Sequence, residues 1–494
     1  MHPWICTARR YVPLLVLGAG MVAAVVLHQA AGWHYPVPWD DEAHFLAPAQ
    51  SLVQHLSLTA PQINAPEGIF WMPDGYAAVI AVFYAVLPDT VATARLLSLG
   101  FTLAFAGCLY ALTARASATG HGARLAAACA AALWLASPLV VLMGNIARME
   151  ALVLALTGAA LLLIAAGRWA GALAVVALTP LVHPMGLALF VMLACAAVLV
   201  RADLRPSGRT QIIIVVLVGL AWIAEIAWLA THFVLLRAHL GYQLALKSSR
   251  GPAVGRYQLV AALAAVAGLI GAATGRSGLG RQRAEALAAV CAVAGGLIAV
   301  EIAGNMMWYR VLGHPTVLLL AAVAAALAWP RRSVVASRPR LAAVMGAAVA
   351  VAAVASVGAA VWRTMTSSAF GMAISAGTTS GDDAFLTAVE RELHRFDARQ
   401  PHPMIVALDW SSGLMPFLLE QRWDNLRFVD PTPVTPLTHQ PDYVLFSVHP
   451  GEPDWRRHID NRLPHAAPVL HLDFPDSQGE LLVYPGALTR LPLH

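Results

Sequence analysis

Apolar runs long enough to cross a bilayer recur through most of the first 360 or so residues, and no other feature narrows the possible folds as much. They lie at about 12–31, 96–114, 124–144, 151–167, 170–182, 185–200, 211–231, 257–275, 284–304, 314–329 and 341–362. A helix of about 20 apolar residues spans a hydrocarbon core of about 30 Å. Only 12% of the 494 residues are charged and 59% are hydrophobic, whereas soluble domains carry roughly 25% charged residues. Mean hydropathy is +0.66. A single water-soluble core is excluded. The expected fold is an α-helical polytopic membrane protein with about 11 transmembrane helices.

Arginine placement sets the expected topology. The short run at 75–88, "GYAAVIAVFYAVLP", decides it, because a crossing there would invert everything downstream. If 75–88 only dips into the outer surface, Arg9/Arg10, Arg115/Arg124, Arg168, Arg201/Arg205/Arg209, Arg276/Arg281/Arg283 and Arg331/Arg332/Arg338/Arg340 all fall inside. The loop 32–94, which contains no Lys or Arg, then lies outside. Positively charged loops stay in the cytoplasm, so the dip is preferred. The N-terminus is expected in the cytoplasm of a bacterial cell and the segment 364–494 outside, with 1–363 as the membrane domain. Segment 364–494 holds helix-like "DDAFLTAVERELHRF" and strand-like "MIVAL", "DYVLFSV" and "ELLVY", so it reads as a small soluble α/β domain in the periplasm.

The net charge of +5 does not indicate nucleic acid, since the basic residues sit in short loops between spans. Arg9/Arg10 before the first run are not expected to open a cleaved leader, because the run is long and no convincing A-x-A site follows. Cys6, Cys108, Cys129, Cys195 and Cys291 have no paired spacing, which implies neither a disulfide framework nor a zinc site. His34, His44 and His55 likewise lack metal-ligand spacing.

Ionisable groups inside a bilayer are expensive, about 2.5 kcal/mol upward each, so their distribution is informative. On this topology they gather at the outer leaflet. Asp40, Asp41 and Glu42 follow the first span, Arg95 opens the second, and Arg148 and Glu150 join the third and fourth. His183, Glu225, Glu301, Arg310 and His314 line the same side further on. A conduction path needs polar groups at the midplane as well, so a site at the outer surface is expected. After the acidic triplet, Phe45, Ala49, Leu52 and Leu56 form one apolar stripe, which predicts an amphipathic helix lying flat on the outer leaflet. The loop 233–257, with Arg237, Lys247, Arg250 and Arg256, carries basic charge outside and can engage anionic lipid or a donor phosphate.

A carboxylate base beside cations at the headgroups suits sugar transfer from a lipid-linked phosphate. The acceptor hydroxyl loses its proton as it attacks the anomeric carbon, and Asp or Glu can take that proton. The leaving phosphate needs positive charge, which Arg95, Arg310 or a divalent metal held by Asp41 and Glu42 could supply. A base on the face opposite the leaving group implies inversion.

The stretch "DDEAHFLAPAQSL", followed by "FWMPDGYAAVIAVFYAVLPDTVATARLLSL", resembles the start of the GT-C glycosyltransferases of the protein O-mannosyltransferase and lipid A aminoarabinose transferase type. The resemblance covers roughly the first 170 residues and continues mainly as architecture. It implies that Asp41-Glu42 is the catalytic acidic pair, with Asp41 the base and Glu42 or Asp40 orienting it or binding metal. Glu150 in "ARMEAL" matches the second acidic site. Arg95, Arg310 and Tyr309 match donor-side positions, joined by Lys247. Met72-Pro73 stands where relatives often have Lys-Pro, and Glu150 replaces the usual Asp. The expected partners are a polyprenyl-phosphate sugar donor and an acceptor that the sequence does not name. Two other classes fit less well. A lipid or solute transporter needs repeat symmetry and midplane polar groups, and a non-catalytic assembly protein does not need carboxylates and arginines on one leaflet.

Overall fold

A computed structural model describes residues 3–31, 40–63, 65–70, 72–116, 121–206, 208–248, 254, 256–274, 280–304, 307–328, 379–408, 414–429, 440–448, 459, 463, 466–474 and 479–488. Two compact units emerge. The first comprises Met1–Leu27, Leu99–Gly144 and Met149–Gly371, and the second His28–Ser98, Asn145–Arg148 and Met372–His494.

In chain order the helices up to the first sequence loop are α1 (Pro3–Ala31), α2 (Asp40–His55), α3 (Gly75–Tyr84) and α4 (Val91–Ala116). Then come α5 (His121–Leu135), α6 (Pro138–Gly144), α7 (Met149–Ala165), α8 (Trp169–Val176), α9 (Thr179–Val182) and α10 (Met185–Leu199). The remainder of the first unit holds α11 (Arg209–Thr231), α12 (Phe233–Ser248), α13 (Arg256–Thr274), α14 (Arg281–Gly304) and α15 (Met307–Ala328). Each apolar run up to 314–329 thus carries helix, while the run 341–362 lies outside the described residues. Among the described residues, four helices are long and apolar enough to cross a membrane: Tyr11–Gln29, Val91–Ala116, Arg209–Thr231 and Arg281–Ala303.

The expected third and fifth spans are not continuous. Run 124–144 breaks before Pro138, where Ser137 O accepts from the N–H groups of Val140 and Val141, and proline is well placed to open a new helix. Run 170–182 breaks in the same way before Pro180. The dip at 75–88 is a ten-residue helix, too short to span. The loop 233–257 is corrected as well: its first two-thirds are the helix α12, with Arg237 exposed and His239 buried.

The first unit packs through small residues. A Cβ on Gly268 of α13 would stand 2.4 Å from Cys291 Sγ of α14, so the two helices approach closely only because that side chain is missing. Without a hydrophobic drive between helices in lipid, such close approach is what van der Waals packing requires. Much of α11 is instead apolar and exposed, with Ile212, Ile213, Leu217, Leu220, Ile223 and Ile226 all outward.

The second unit holds the α/β elements. Helix α16 (Thr379–Asp397) precedes β1 (Met404–Leu408), α17 (Met415–Glu420), β2 (Leu426–Val429), β3 (Tyr443–Val448), β4 (Leu470–Phe474) and β5 (Gly479–Pro485). The strands form one mixed sheet in the order β2-β1-β3-β5-β4, parallel at β1/β2 and β1/β3 and antiparallel elsewhere. Side chains alternate with period two, and both faces are covered. Val406, Leu408, Leu445, Leu481 and Val483 join one core, and Ala407, Val444, Phe446, Leu482 and Tyr484 the other. Phe385, Leu386, Val389, Leu393 and Phe396 give α16 its buried stripe. At its C-terminal end, Asp397 accepts from the N–H groups of Asp424 and Asn425 at 2.9 and 2.8 Å.

The sequence divides at 364, but the core does not. Ala43 and Ala47 of α2, with Ala60, Ile63, Ala65 and Ile69, pack in the same cluster as Phe385, Phe417, Leu418 and Leu445. The expectation that α2 lies on lipid is corrected here. Phe45 meets Tyr76 of α3 edge-on at 5.2 Å, while Ala43 and Ala47 face the C-terminal elements, so α2 is buried from both sides. Leu56 lies beyond the helix with φ 55° and is exposed. Pro48 sits inside α2 without ending it.

Candidate active site

Helix α2 begins at the acidic triplet, and its two described carboxylates behave differently. Glu42 is fully buried. Arg95 in the first turns of α4 grips it with two parallel bonds, Nε to Oε1 at 2.9 Å and Nη2 to Oε2 at 2.7 Å. The backbone N–H of Ala147 donates to Oε1 as well, at 2.7 Å. Bidentate, charge-assisted bonds of this kind fix geometry as well as energy. Asp41 is turned the other way. Its side chain is 27% exposed, and Arg148 Nη1 donates to Oδ2 at 2.6 Å.

The short link Asn145–Arg148 therefore serves both acids, Ala147 through its backbone and Arg148 through its side chain. His28 near the end of α1 anchors that link, with Nδ1 3.2 Å from Asn145 Oδ1, both groups buried. The loop before α4 is braced too: Tyr84 donates to Thr90 O at 2.9 Å, and Gln50 of α2 donates to Asp89 O at 3.3 Å. Tyr76 and Ser98 hydroxyls meet at 3.0 Å beneath them.

Of the sequence candidates, the second unit brings together Asp41, Glu42 and Arg95. Arg95 is not placed as a donor-phosphate ligand, because its guanidinium is wholly buried against Glu42. Glu42 already receives three N–H donors, two at Oε1 and one at Oε2. Among the described residues no group of three or more His, Cys, Asp or Glu converges as a metal site. Asp40 opens α2, but its side chain lies outside the described residues, as do those of Lys247 on α12 and of Tyr309, Arg310 and His314 on α15.

Other candidates belong to the first unit. Glu150 is buried in the first turn of α7, two positions after Arg148, where the helix dipole favours a carboxylate. His183 is buried in the turn before α10, and its Nδ1 accepts from Met185 N–H at 2.9 Å, which is a local structural task. Glu225 is half-buried on α11. Glu301 is buried, takes a bond from Gln258 Nε2 at 3.4 Å, and rests on Gly313, where a Cβ would lie 1.7 Å from its Oε1. The sequence does not single out Ala147, Asn145 or His28. The one available signal is "NIAR", a polar break between two apolar runs.

The chain's fold is of the GT-C type. Among solved structures, the chain is similar to ArnT from Cupriavidus metallidurans bound to undecaprenyl phosphate, at TM-score 0.57 and 14% identity, covering 97% of this chain and 99% of that one. It is similar to the same protein in the apo state at TM-score 0.55 and 15% identity, covering 98% and 100%. At these identities the likeness is one of fold. No protein-family model and no curated protein matches the sequence.

Proposed function

We propose that the protein is an inverting glycosyltransferase that moves a sugar from a polyprenyl-phosphate donor to an acceptor at the outer face of the bacterial inner membrane. The observation that carries this reading is the division of labour between Asp41 and Glu42. Glu42 is fully buried and held by Arg95 and Ala147, whereas Asp41 is part-exposed and meets the Arg148 guanidinium. A carboxylate has two oxygens and about four lone-pair sites, so Asp41 can hold Arg148 and still accept a proton from the attacking group. Glu42 cannot leave its clamp without exposing a buried cation. Asp41 is therefore the general base and Glu42 its positioning neighbour.

The fold supports the donor class, since ArnT has been solved with undecaprenyl phosphate bound. With Arg95 committed to Glu42, stabilisation of the leaving phosphate falls to Arg310, Tyr309 and Lys247, and Glu150 serves the acceptor side. No step is assigned to a metal. On this reading the chain enters the bilayer with its N-terminus in the cytoplasm and its 364–494 segment outside.

Native mass spectrometry of the purified protein released from lipid nanodiscs tests the donor class. Added undecaprenyl phosphate should be retained as a one-to-one adduct in preference to an equal amount of phosphatidylglycerol. Equal retention of the two lipids would remove the support for a polyprenyl donor.

A further inference from the structure

We infer that Glu420, at the end of α17 in the C-terminal segment, is a positioning residue for the Asp41–Glu42 pair and acts through the N-terminus of α4. The inference rests on that pair being the working one, but not on the identity of donor or sugar.

The first turn of a helix leaves N–H groups without intrahelical partners. In α4, Thr90 Oγ1 takes the Thr93 N–H at 3.2 Å, and Thr90 O takes that of Ala94 at 3.2 Å. The Val91 N–H goes to Glu420 Oε1, a residue 329 positions away. A carboxylate here is favoured twice, by the bond to the N–H and by the positive end of the helix dipole. Arg95 lies four residues after Val91, on the same face one turn on. The turn that Glu420 holds is thus the turn from which Arg95 reaches Glu42.

A second contact has the same direction. Phe417 and Leu418 of α17, in the same short helix as Glu420, share a hydrophobic core with Ala43 and Ala47 of α2. One face of α17 therefore supports the helix carrying the acids, and its last residue caps the helix carrying their clamp. Glu420 also lies close to Tyr84, whose phenol is pushed well above its usual range by burial and, next, by the Glu420 carboxylate. The C-terminal segment is then part of the framework of the site.

Amide hydrogen exchange read by mass spectrometry on the full-length protein in lipid nanodiscs tests this with wild type, Glu420→Ala and Glu420→Gln. In Glu420→Ala, peptides covering 91–95 and 40–46 should exchange roughly tenfold faster, as for loss of a helix cap. Peptides covering β1 and β5 should exchange as in wild type. Glu420→Gln keeps an acceptor oxygen and should restore most of the protection. Unchanged exchange at 91–95 in Glu420→Ala overturns the inference. So does parallel acceleration of the whole sheet, which marks a folding role instead. Since no substrate enters the measurement, a failed sugar-transfer assay with the expected exchange pattern counts against the proposed function alone.

Discussion

Glu42 and Arg95 meet in two parallel hydrogen bonds, of 2.9 and 2.7 Å, with neither side chain exposed to solvent. A buried pair of this kind contributes little against two well-packed apolar residues, yet removing one partner strands a charge at about 3–5 kcal/mol. Arg95→Met and Glu42→Leu should each lower the stability of the detergent-solubilised protein by roughly that amount. The double variant should recover most of the loss. Unfolding curves for the three variants decide the matter, and strictly additive losses would contradict the clamp.

Asp41 and Glu42 should separate experimentally. Asp41→Asn is expected to lose less stability than Glu42→Gln, because its side chain is part-exposed and the amide oxygen can still accept from Arg148, and to lose activity by about 10²–10⁴-fold as a missing general base. Glu42→Gln is expected to lose stability together with activity, since the neutral amide leaves Arg95 without its countercharge. Melting temperature and transfer rate measured on the same preparations check both. A stable, active Asp41→Asn enzyme would remove the assigned base.

A Cβ on Gly313 would collide with the Glu301 side chain, which must swing away to admit it. Gly313→Ala should destabilise the protein by about 1 kcal/mol, the low end of the overpacking range, because a side chain rather than backbone gives way. Glu301→Ala in the same chain should relieve the strain. Unfolding of the single and double variants is the check, and a neutral Gly313→Ala would show that α14 and α15 approach less closely than described.

Tyr84 supplies a pH test. Its folded-state phenol titrates well above the usual range, through burial first and the Glu420 carboxylate second. In the unfolded chain it titrates near 10. Its contribution is therefore complete below about pH 10 and is lost as the pH rises toward the folded value, because the unfolded chain then releases a proton that the folded one keeps. Tyr84→Phe should show a shallower loss of melting temperature over the alkaline range than wild type. Parallel curves would contradict the placement of the phenol.

Much of this was legible in the sequence. Apolar runs located most of the membrane-unit helices though not their breaks or α12, and period-two runs such as "MIVAL" and "DYVLFSV" located β1 and β3. The strands "LRFV" and "LHLDF" were not legible, being short and interrupted by charge. The acidic triplet and Arg95 stood out through isolation, three carboxylates in a loop without a cation. Their roles did not. Successive helical residues point about 100° apart, so one of two adjacent acids must turn inward. Which one depends on Arg95 and Ala147, which lie 53 and 105 positions away. Glu420 offered no local signal, since its partner is 329 residues distant.

The central claim is that Asp41 is the general base for transfer of a sugar from a polyprenyl-phosphate donor to its acceptor. The most direct measurement quantifies polyprenyl-phosphate sugars by mass spectrometry in lipid extracts from cells lacking the protein, cells expressing wild type and cells expressing Asp41→Asn at equal membrane levels. One such species should accumulate in the deletion and in Asp41→Asn but not in wild type, which would also name the sugar. Identical pools in all three strains would contradict the claim.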